Sequence, residues 1–215
     1  MKDENIPFPD IKKTINIILL IILAASYNFL VYSCGRLLSG GFYHRNLSTG
    51  LDAAIPFIPW TILIYWGCVV FWGINYYLGI RYDKYGGRGF LAAHFIGETI
   101  CFFFFVFFPT TMDRPVIGDA EGLLSVIATT YRVDSPDNLL PSIHCFISYL
   151  CWIGIRGNRN IPKWYRILSF IIAIAVCIST LTVKQHVIAD VITGILLAEL
   201  SFFISSRFFQ RRKAG

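Results

Sequence analysis

Charged side chains are scarce in this sequence of 215 residues. They make up 15% of the chain, whereas a soluble domain has about 25%. Hydrophobic residues reach 55%, which argues against an ordinary soluble domain and indicates a membrane protein. The net charge of +6 does not indicate a nucleic-acid partner, because the Lys and Arg residues stand in short clusters between apolar runs.

Paired cysteines are missing as well. The sequence has six cysteines but no CxxC spacing, and each lies in or beside an apolar segment. Neither a zinc site nor a disulfide framework is therefore supported. We expect these residues to be buried thiols that pack as small hydrophobic groups. They are Cys34, Cys68, Cys101, Cys145, Cys151 and Cys177.

Long hydrophobic runs are what the sequence has in abundance. A helix needs about 20 apolar residues to cross the hydrocarbon core of a bilayer. Six runs come close to this length, and we predict an all-α bundle of six transmembrane helices. The predicted spans are Ile15–Tyr32, Phe57–Ile80, Phe90–Phe108, Leu139–Ile155, Trp164–Leu181 and Val187–Ser206.

The cationic residues predict the orientation of these spans. One side of a six-span chain collects the following residues: Lys12, Lys13, Arg81, Lys84, Arg88, Arg156, Arg159, Lys163, Arg166, Arg207, Arg211, Arg212 and Lys213. The other side has Arg36, Arg45, Arg114, Arg132 and Lys184, spread over longer loops with several acids. Cytoplasmic loops carry the excess of Lys and Arg. We therefore predict that both termini are cytoplasmic.

Two histidines begin apolar runs on the predicted outer side. His144 belongs to "PSIH" and His186 to "HVIAD", in which Asp190 follows four residues later and shares a helical face with the histidine. Ser142 and the free N–H groups behind it would form an anion site at a helix N-terminus. Either motif alone is weak evidence for a functional site, because such residues more often lie at the membrane interface without a catalytic role. Together on one side, with the cations Arg114 and Lys184, they predict a phosphate pocket that contains two histidines.

The motifs resemble those of the type-2 phosphatidic acid phosphatase superfamily, whose members carry KxxxxxxRP, PSGH and SRxxxxxHxxxD. Here they read "FFPTTMDRP", "PSIH" and "STLTVKQHVIAD". Phe107 replaces the lysine of the first motif, Ile143 the glycine of the second and Thr180 the arginine of the third. The segment "YRVDSPDNLLPSIH" resembles a branch similar to the inositol phosphorylceramide synthases, whose members keep both histidines and the aspartate while losing these cations.

This resemblance implies a role for each matching residue. His186 would form a phosphohistidine, Asp190 would orient it, and His144 would protonate the leaving oxygen. The substrate phosphate would be held by four residues: Arg114, Ser142, Ile143 and Lys184. The assignment of Lys184 rests only on its charge and its side. Residues 1–215 would form a single membrane phosphatase-like domain, with the core motifs in 109–206.

Three functions stay open at this point. The first is a lipid phosphatase that hydrolyses a phosphomonoester or pyrophosphate lipid at the outer leaflet, without a metal or cofactor. The second is a head-group phosphotransferase that uses the same histidine. The third is a non-catalytic lipid-phosphate binding or transport protein. The expected location is a bacterial cytoplasmic membrane, with the active site on the outer face. The partners would be lipid phosphate and membrane, without nucleic acid, and the oligomeric state is left open.

Ionisable residues also occur within the predicted spans. His94 and Glu98 lie four residues apart in the third span, and Glu199 lies in the sixth. Such residues are candidate functional groups by default. We predict a structural His–Glu hydrogen bond between helices and not a second active centre, because the third span begins on the cytoplasmic side and places His94 far from the outer pocket. Proton or ion passage is the alternative.

Overall fold

A computed structural model describes residues 11–85, 87–118 and 121–214. The fold is all-helical, as predicted, apart from one pair of two-residue strands. The helices are α1 (Ile11–Ser39), α2 (Gly50–Ala54), α3 (Ile62–Tyr82), α4 (Arg88–Phe107), α5 (Leu123–Val133), α6 (Ile143–Arg156), α7 (Lys163–Thr182) and α8 (Ile188–Ala214). The strands β1 (Arg45–Asn46) and β2 (Thr110–Thr111) pair in parallel, and a 3₁₀ turn, Pro59–Thr61, precedes α3.

In the described part of the chain, five helices are long and apolar enough to cross a membrane: α1, α3 with its preceding turn, α4, α7 and α8. The predicted span Leu139–Ile155 is instead the 14-residue helix α6, Ile143–Arg156. At 1.5 Å per residue α6 is about 21 Å long, shorter than the hydrocarbon core of about 30 Å. It begins four residues later than predicted because Asn138 has a left-handed φ of 54° and Pro141 precedes the helix cap.

The core of the bundle lies where α4, α6 and α8 meet. Helix α4 packs against α1 and α8, and α6 packs against α3, α7 and α8. Large side chains fill this centre without exposure, among them Phe90, Phe105, Phe146 and Leu150. In contrast, α1 buries few residues and leaves most of its apolar surface open. The outer surface of α1 is therefore suited to contact with lipid.

The two ends of the bundle differ in composition. At one end the α3–α4 and α6–α7 turns meet, where the Asn158 side chain donates to the Tyr82 carbonyl (2.7 Å). The C-terminal half of α8 joins this end through a hydrogen bond from Ser205 to the Gly89 carbonyl (2.6 Å). The residues predicted as cytoplasmic cations from Arg81 onward belong to these segments. The other end carries both histidine motifs and the segments before α3 and α6.

The ionisable residues of the predicted spans have separate partners. His94 contacts the Tyr76 hydroxyl (2.8 Å) and the Ala24 carbonyl (3.2 Å). Glu98 accepts a hydrogen bond from the side chain of Asn28 (2.7 Å). Among the described residues His94 and Glu98 therefore do not bond to each other, but both side chains make hydrogen bonds between helices, His94 to α1 and α3 and Glu98 to α1. Glu199 forms a two-point ion pair with Arg156 at distances of 2.5 and 2.9 Å.

Candidate active site

His186 and Asp190 form a buried pair at the start of α8. His186 Nδ1 lies 3.2 Å from Asp190 Oδ2, and the same oxygen accepts the backbone N–H of Val187 (3.0 Å). An ionised carboxylate can only accept, so Nδ1 carries the proton and Nε2 keeps its lone pair. Asp190 is fully buried and His186 is 7% exposed. The pair therefore presents one basic ring nitrogen in a fixed orientation.

The turn between α7 and α8 sets the position of His186. The backbone N–H groups of Gln185 and His186 both donate to the Thr180 carbonyl, at 2.9 and 3.1 Å. Lys184 takes a left-handed φ of 53° in this turn. Thr180, which stands where the related motif has arginine, thus closes the turn through its backbone. Its side chain donates to the Cys177 carbonyl (2.8 Å).

The surroundings of His186 raise its pKa above the ordinary value. Burial by itself lowers this pKa, since it disfavours the charged ring. The hydrogen bond to Asp190 and the negative charge of that carboxylate outweigh burial. The imidazole is therefore more basic than in water, as a ring that attacks phosphorus requires.

His144 lies in the first turn of α6 and faces His186. The Ser142 side chain caps the helix by accepting the Cys145 N–H (3.3 Å). The N–H groups of Ile143 and His144 begin the helix and have no intrahelical acceptor, so they are donors of the kind that bind anions. The His144 ring stacks on Tyr65, with 4.5 Å between ring centroids. Its centroid lies 6.1 Å from that of His186.

Direct contacts hold the starts of α6 and α8 together. The Ser142 N–H donates to the backbone carbonyl of Asp190 (3.1 Å). One turn further along α8, Gly194 lies so close to α6 that an added Cβ would be 2.7 Å from the Ser142 carbonyl oxygen. The distance between the two histidines therefore depends on a glycine in α8.

The two cations predicted to hold phosphate are engaged elsewhere. The Arg114 guanidinium donates to the Asp134 carbonyl and to Gln185 Oε1, and it lies 4.9 Å from the centroid of the Tyr131 ring. Burial lowers the pKa of Arg114, and the charge of Asp134 opposes that effect. Lys184 Nζ donates to the carbonyls of Asp52 (2.9 Å) and Ile55 (2.6 Å). Both cations thus brace loops around the site.

A cavity of about 290 Å³ opens beside the histidine pair. Of the predicted site residues, Ile143, His144 and His186 line it. The sequence analysis assigned the other lining residues to no site: Asn28, Phe29, Tyr32, Tyr65, Trp66, Trp72, Thr130, Val133, Asp134, Asp137, Asn138 and Leu139. In the sequence, Asp134 and Asp137 shortly precede "LLPSIH". These two acidic residues beside the histidine motif are what could have indicated the cavity.

Carboxylates give this cavity an acceptor-rich wall. Asp134 accepts the hydroxyls of Tyr32 (2.6 Å) and Tyr65 (3.1 Å). Asp137 Oδ2 pairs with Arg36 Nε at 3.2 Å, whereas Asp137 Oδ1 is buried and has no hydrogen-bond partner among the residues that the structure describes. Burial raises the pKa of Asp137, against the lowering effect of Arg36. Asp137 thus contributes to the cavity wall a carboxylate of which one oxygen is paired and the other is not.

Within the described residues, no group of three or more His, Cys, Asp and Glu side chains is arranged to hold a metal ion. Comparison with protein-family models, curated proteins and solved structures finds no match to this chain.

Proposed function

We propose that this chain is an integral membrane lipid phosphatase that works through a phosphohistidine at His186. The observation that carries the proposal is the buried His186–Asp190 pair facing His144 across a cavity. Binding a phosphate needs no carboxylate that fixes an imidazole tautomer, whereas nucleophilic attack by histidine does. The resemblance of the sequence motifs to the type-2 phosphatidic acid phosphatases supports the same chemistry.

The reaction proceeds in two displacements. The Nε2 lone pair of His186 attacks phosphorus, the bond between phosphorus and the lipid oxygen breaks, and protonated His144 gives its proton to that oxygen. Water then attacks the phosphohistidine while neutral His144 takes a proton from it. The phosphorus–nitrogen bond breaks, inorganic phosphate leaves, and both histidines return to their starting states.

The N–H groups at the start of α6 are the donors for the phosphoryl oxygens in this proposal. They lie beside both histidines, and the positive end of the helix dipole favours an anion there. Protonated His144 supplies a further donor. This arrangement replaces the contacts that Arg114 and Lys184 were expected to make.

The same proposal includes six membrane spans with both termini in the cytoplasm. Five long apolar helices and the shorter α6 run back and forth between the two ends of the bundle. The end that carries the turns around Arg81 and Arg159 has the excess of Lys and Arg, as cytoplasmic segments do. The histidine pair then faces the outer leaflet of the cytoplasmic membrane.

Head-group transfer is a second candidate, and the unpaired oxygen of Asp137 favours it. Asp137 lines the same cavity as the two histidines, and its buried Oδ1 has no partner among the described residues. A hydroxyl of an acceptor alcohol could donate to this oxygen, whereas water needs no shaped pocket of about 290 Å³. In this variant an alcohol replaces water in the second displacement.

The test uses the full chain in lipid nanodiscs with phosphatidic acid, diphosphate lipids and phosphodiester lipids, each with and without added alcohols. Free phosphate, new lipids and protein-bound radiolabelled phosphate are followed together. We expect phosphate release and an acid-labile label, both absent in His186→Ala. The matched control is His44→Ala, because His44 contacts the Ser39 carbonyl outside the cavity (3.1 Å).

The products separate the candidates. Free phosphate identifies a phosphatase, and a new head-group lipid with little free phosphate identifies a transferase. If lipid phosphate binds tightly, is not turned over and binds equally to His186→Ala, the enzymatic proposal is wrong and the chain is a binding protein.

A further inference from the structure

A second cavity, of about 340 Å³, lies directly beside the first. Asn28 and Trp72 line both cavities, so the two share a wall. The second cavity lies between α1, α3, α4 and α6, and we call it the tail groove. Most of its wall is formed by Ile21, Ala24, Ala25, Val69, Gly73 and Ile147.

The tail groove is apolar although His94 and Tyr76 line it. The Tyr76 hydroxyl and the two ring nitrogens of His94 are engaged with each other and with the Ala24 carbonyl. Neither side chain is therefore left with an unmet requirement for a polar ligand. The groove can accept a hydrocarbon chain without burying an unsatisfied polar group.

The boundary between the two cavities separates polar from apolar surroundings. On the histidine side, the Trp72 ring centroid lies 5.6 Å from that of His144. Trp72 lines both cavities, and its indole N–H donates to Ser148 (2.8 Å). From Asn28 to Ile21 the groove follows α1 for about 10 Å at 1.5 Å per residue. It runs away from the histidines, toward the middle of α1.

We propose that the tail groove seats one hydrocarbon chain of the lipid whose phosphate lies at His186. This inference rests on the proposed lipid-phosphate function and adds the subsite for the tail. Small residues on facing walls make the room: Ala24 and Ala25 on α1, and Gly73 on α3. A Cβ added at Gly73 would meet no atom within 4 Å.

The groove contributes by positioning the lipid, and not through the free energy of transferring its tail from water. A lipid tail in the bilayer is already in apolar surroundings, so entering the groove gains little hydrophobic free energy. A seated chain instead fixes the depth and direction of the phosphate relative to His186 Nε2, which favours attack. Filling the groove should therefore lower the turnover of long-chain lipids and leave that of soluble short-chain analogues unchanged.

The first test fills the groove from either wall with Gly73→Leu and Ala25→Leu. The controls are Gly67→Leu on α3 and Ser26→Leu on α1, which place the same side chain at exposed positions outside the groove. The readout is the ratio of kcat/KM for long-chain phosphatidic acid to that for dihexanoyl phosphatidic acid. We expect this ratio to fall at least about tenfold in the groove variants, because the positioning of the phosphate is lost. An unchanged ratio, or an equal fall in the controls, overturns the proposal.

The second test does not depend on turnover. Phosphatidic acid with a photoactivatable group along one acyl chain is irradiated in nanodiscs with the wild type and with His186→Ala. We expect cross-links to residues 21–28 and 69–76 that excess phosphatidic acid removes and excess phosphatidylcholine does not. If the cross-links that phosphatidic acid removes lie elsewhere, the proposed tail subsite is wrong even if the enzyme is active. If the chain has no activity but phosphatidic acid competes for cross-links in the groove, the tail subsite is supported and the phosphatase function is refuted.

Discussion

The ring centroids of His144 and His186 lie 6.1 Å apart, on the first turn of α6 and immediately before α8. The backbone hydrogen bond from Ser142 to Asp190 links these two helix starts. Only His186 has a carboxylate on its other ring nitrogen. In the proposed function the two rings therefore have different tasks, His186 as nucleophile and His144 as proton donor.

The role of His144 as proton donor predicts a dependence on the leaving group. His144→Ala should lower kcat/KM for an alkyl phosphate ester about 10²–10⁴-fold, the usual contribution of general acid catalysis. With para-nitrophenyl phosphate the loss should be much smaller, because nitrophenolate leaves without a proton. Steady-state kinetics with both esters checks this prediction. Equal losses for both would instead assign His144 to binding.

The Asp190 carboxylate predicts the pH dependence of the reaction. His186 attacks only when Nε2 is unprotonated, so activity should fall as the pH drops through its pKa. Because that pKa is raised, the acid limb should lie above the ordinary histidine value of about 6.5. In Asp190→Asn the negative charge that raises the pKa is gone, and an amide oxygen is a weaker acceptor than a carboxylate, so the limb should move to lower pH.

Profiles of kcat/KM against pH for the wild type and Asp190→Asn provide the measurement. The maximum rate of the variant should also be lower, because the ring is less basic and its tautomer is no longer fixed. Asp113→Asn is the matched control, since Asp113 accepts from Asn46 in an exposed loop. An acid limb that stays in place in Asp190→Asn would show that the limb reports another group.

The sequence predicted the membrane helices better than the walls of the site. Apolar runs mark α1, α3, α4, α7 and α8, because a bilayer requires length and composition alone. The start of α6 was misplaced, because a left-handed Asn138 and the Ser142 cap decide it locally. That His144 and His186 lie at the same end of the bundle was predicted by counting spans, which does not require knowledge of how the helices pack.

Other parts of the site leave no readable trace in the sequence. Tyr65 and Trp72 lie on α3, where an aromatic residue that faces a cavity has the same local pattern as one that faces lipid. Lys184 was assigned to phosphate from its charge and its side alone. Its acceptors, the carbonyls of Asp52 and Ile55, could not be predicted, because they are backbone groups that any residue carries. Such tertiary pairings depend on the folded geometry of distant loops.

The contacts of Lys184 predict that replacing this residue lowers the stability of the fold and leaves phosphate affinity unchanged. Lys184→Met should lower the free energy of unfolding by about 1–3 kcal/mol, because two carbonyls lose a charged donor. The KM for phosphatidic acid should change little. Thermal unfolding in detergent and steady-state kinetics test the two parts, with Lys163→Met at the opposite end of the bundle as control. A large rise in KM with unchanged stability would return Lys184 to the phosphate site.

Gly194 predicts how sensitive the site is to the spacing of α6 and α8. In Gly194→Ala the new methyl group would lie 2.7 Å from the Ser142 carbonyl oxygen, so α6 must shift or the hydrogen bond from Ser142 to Asp190 must break. Overpacking of this kind costs about 1–3 kcal/mol of stability. Displacement of His144 should in addition lower kcat about 10²-fold.

Gly67→Ala is the control for this substitution, because a Cβ at Gly67 meets nothing within 4 Å. Both variants gain the same helix propensity, so any difference between them comes from the contact between α6 and α8. Unfolding midpoints and kcat are measured for the two variants side by side. If Gly194→Ala unfolds earlier but keeps the kcat of Gly67→Ala, the spacing of the two helices matters for stability alone, and the histidines tolerate a shift between them.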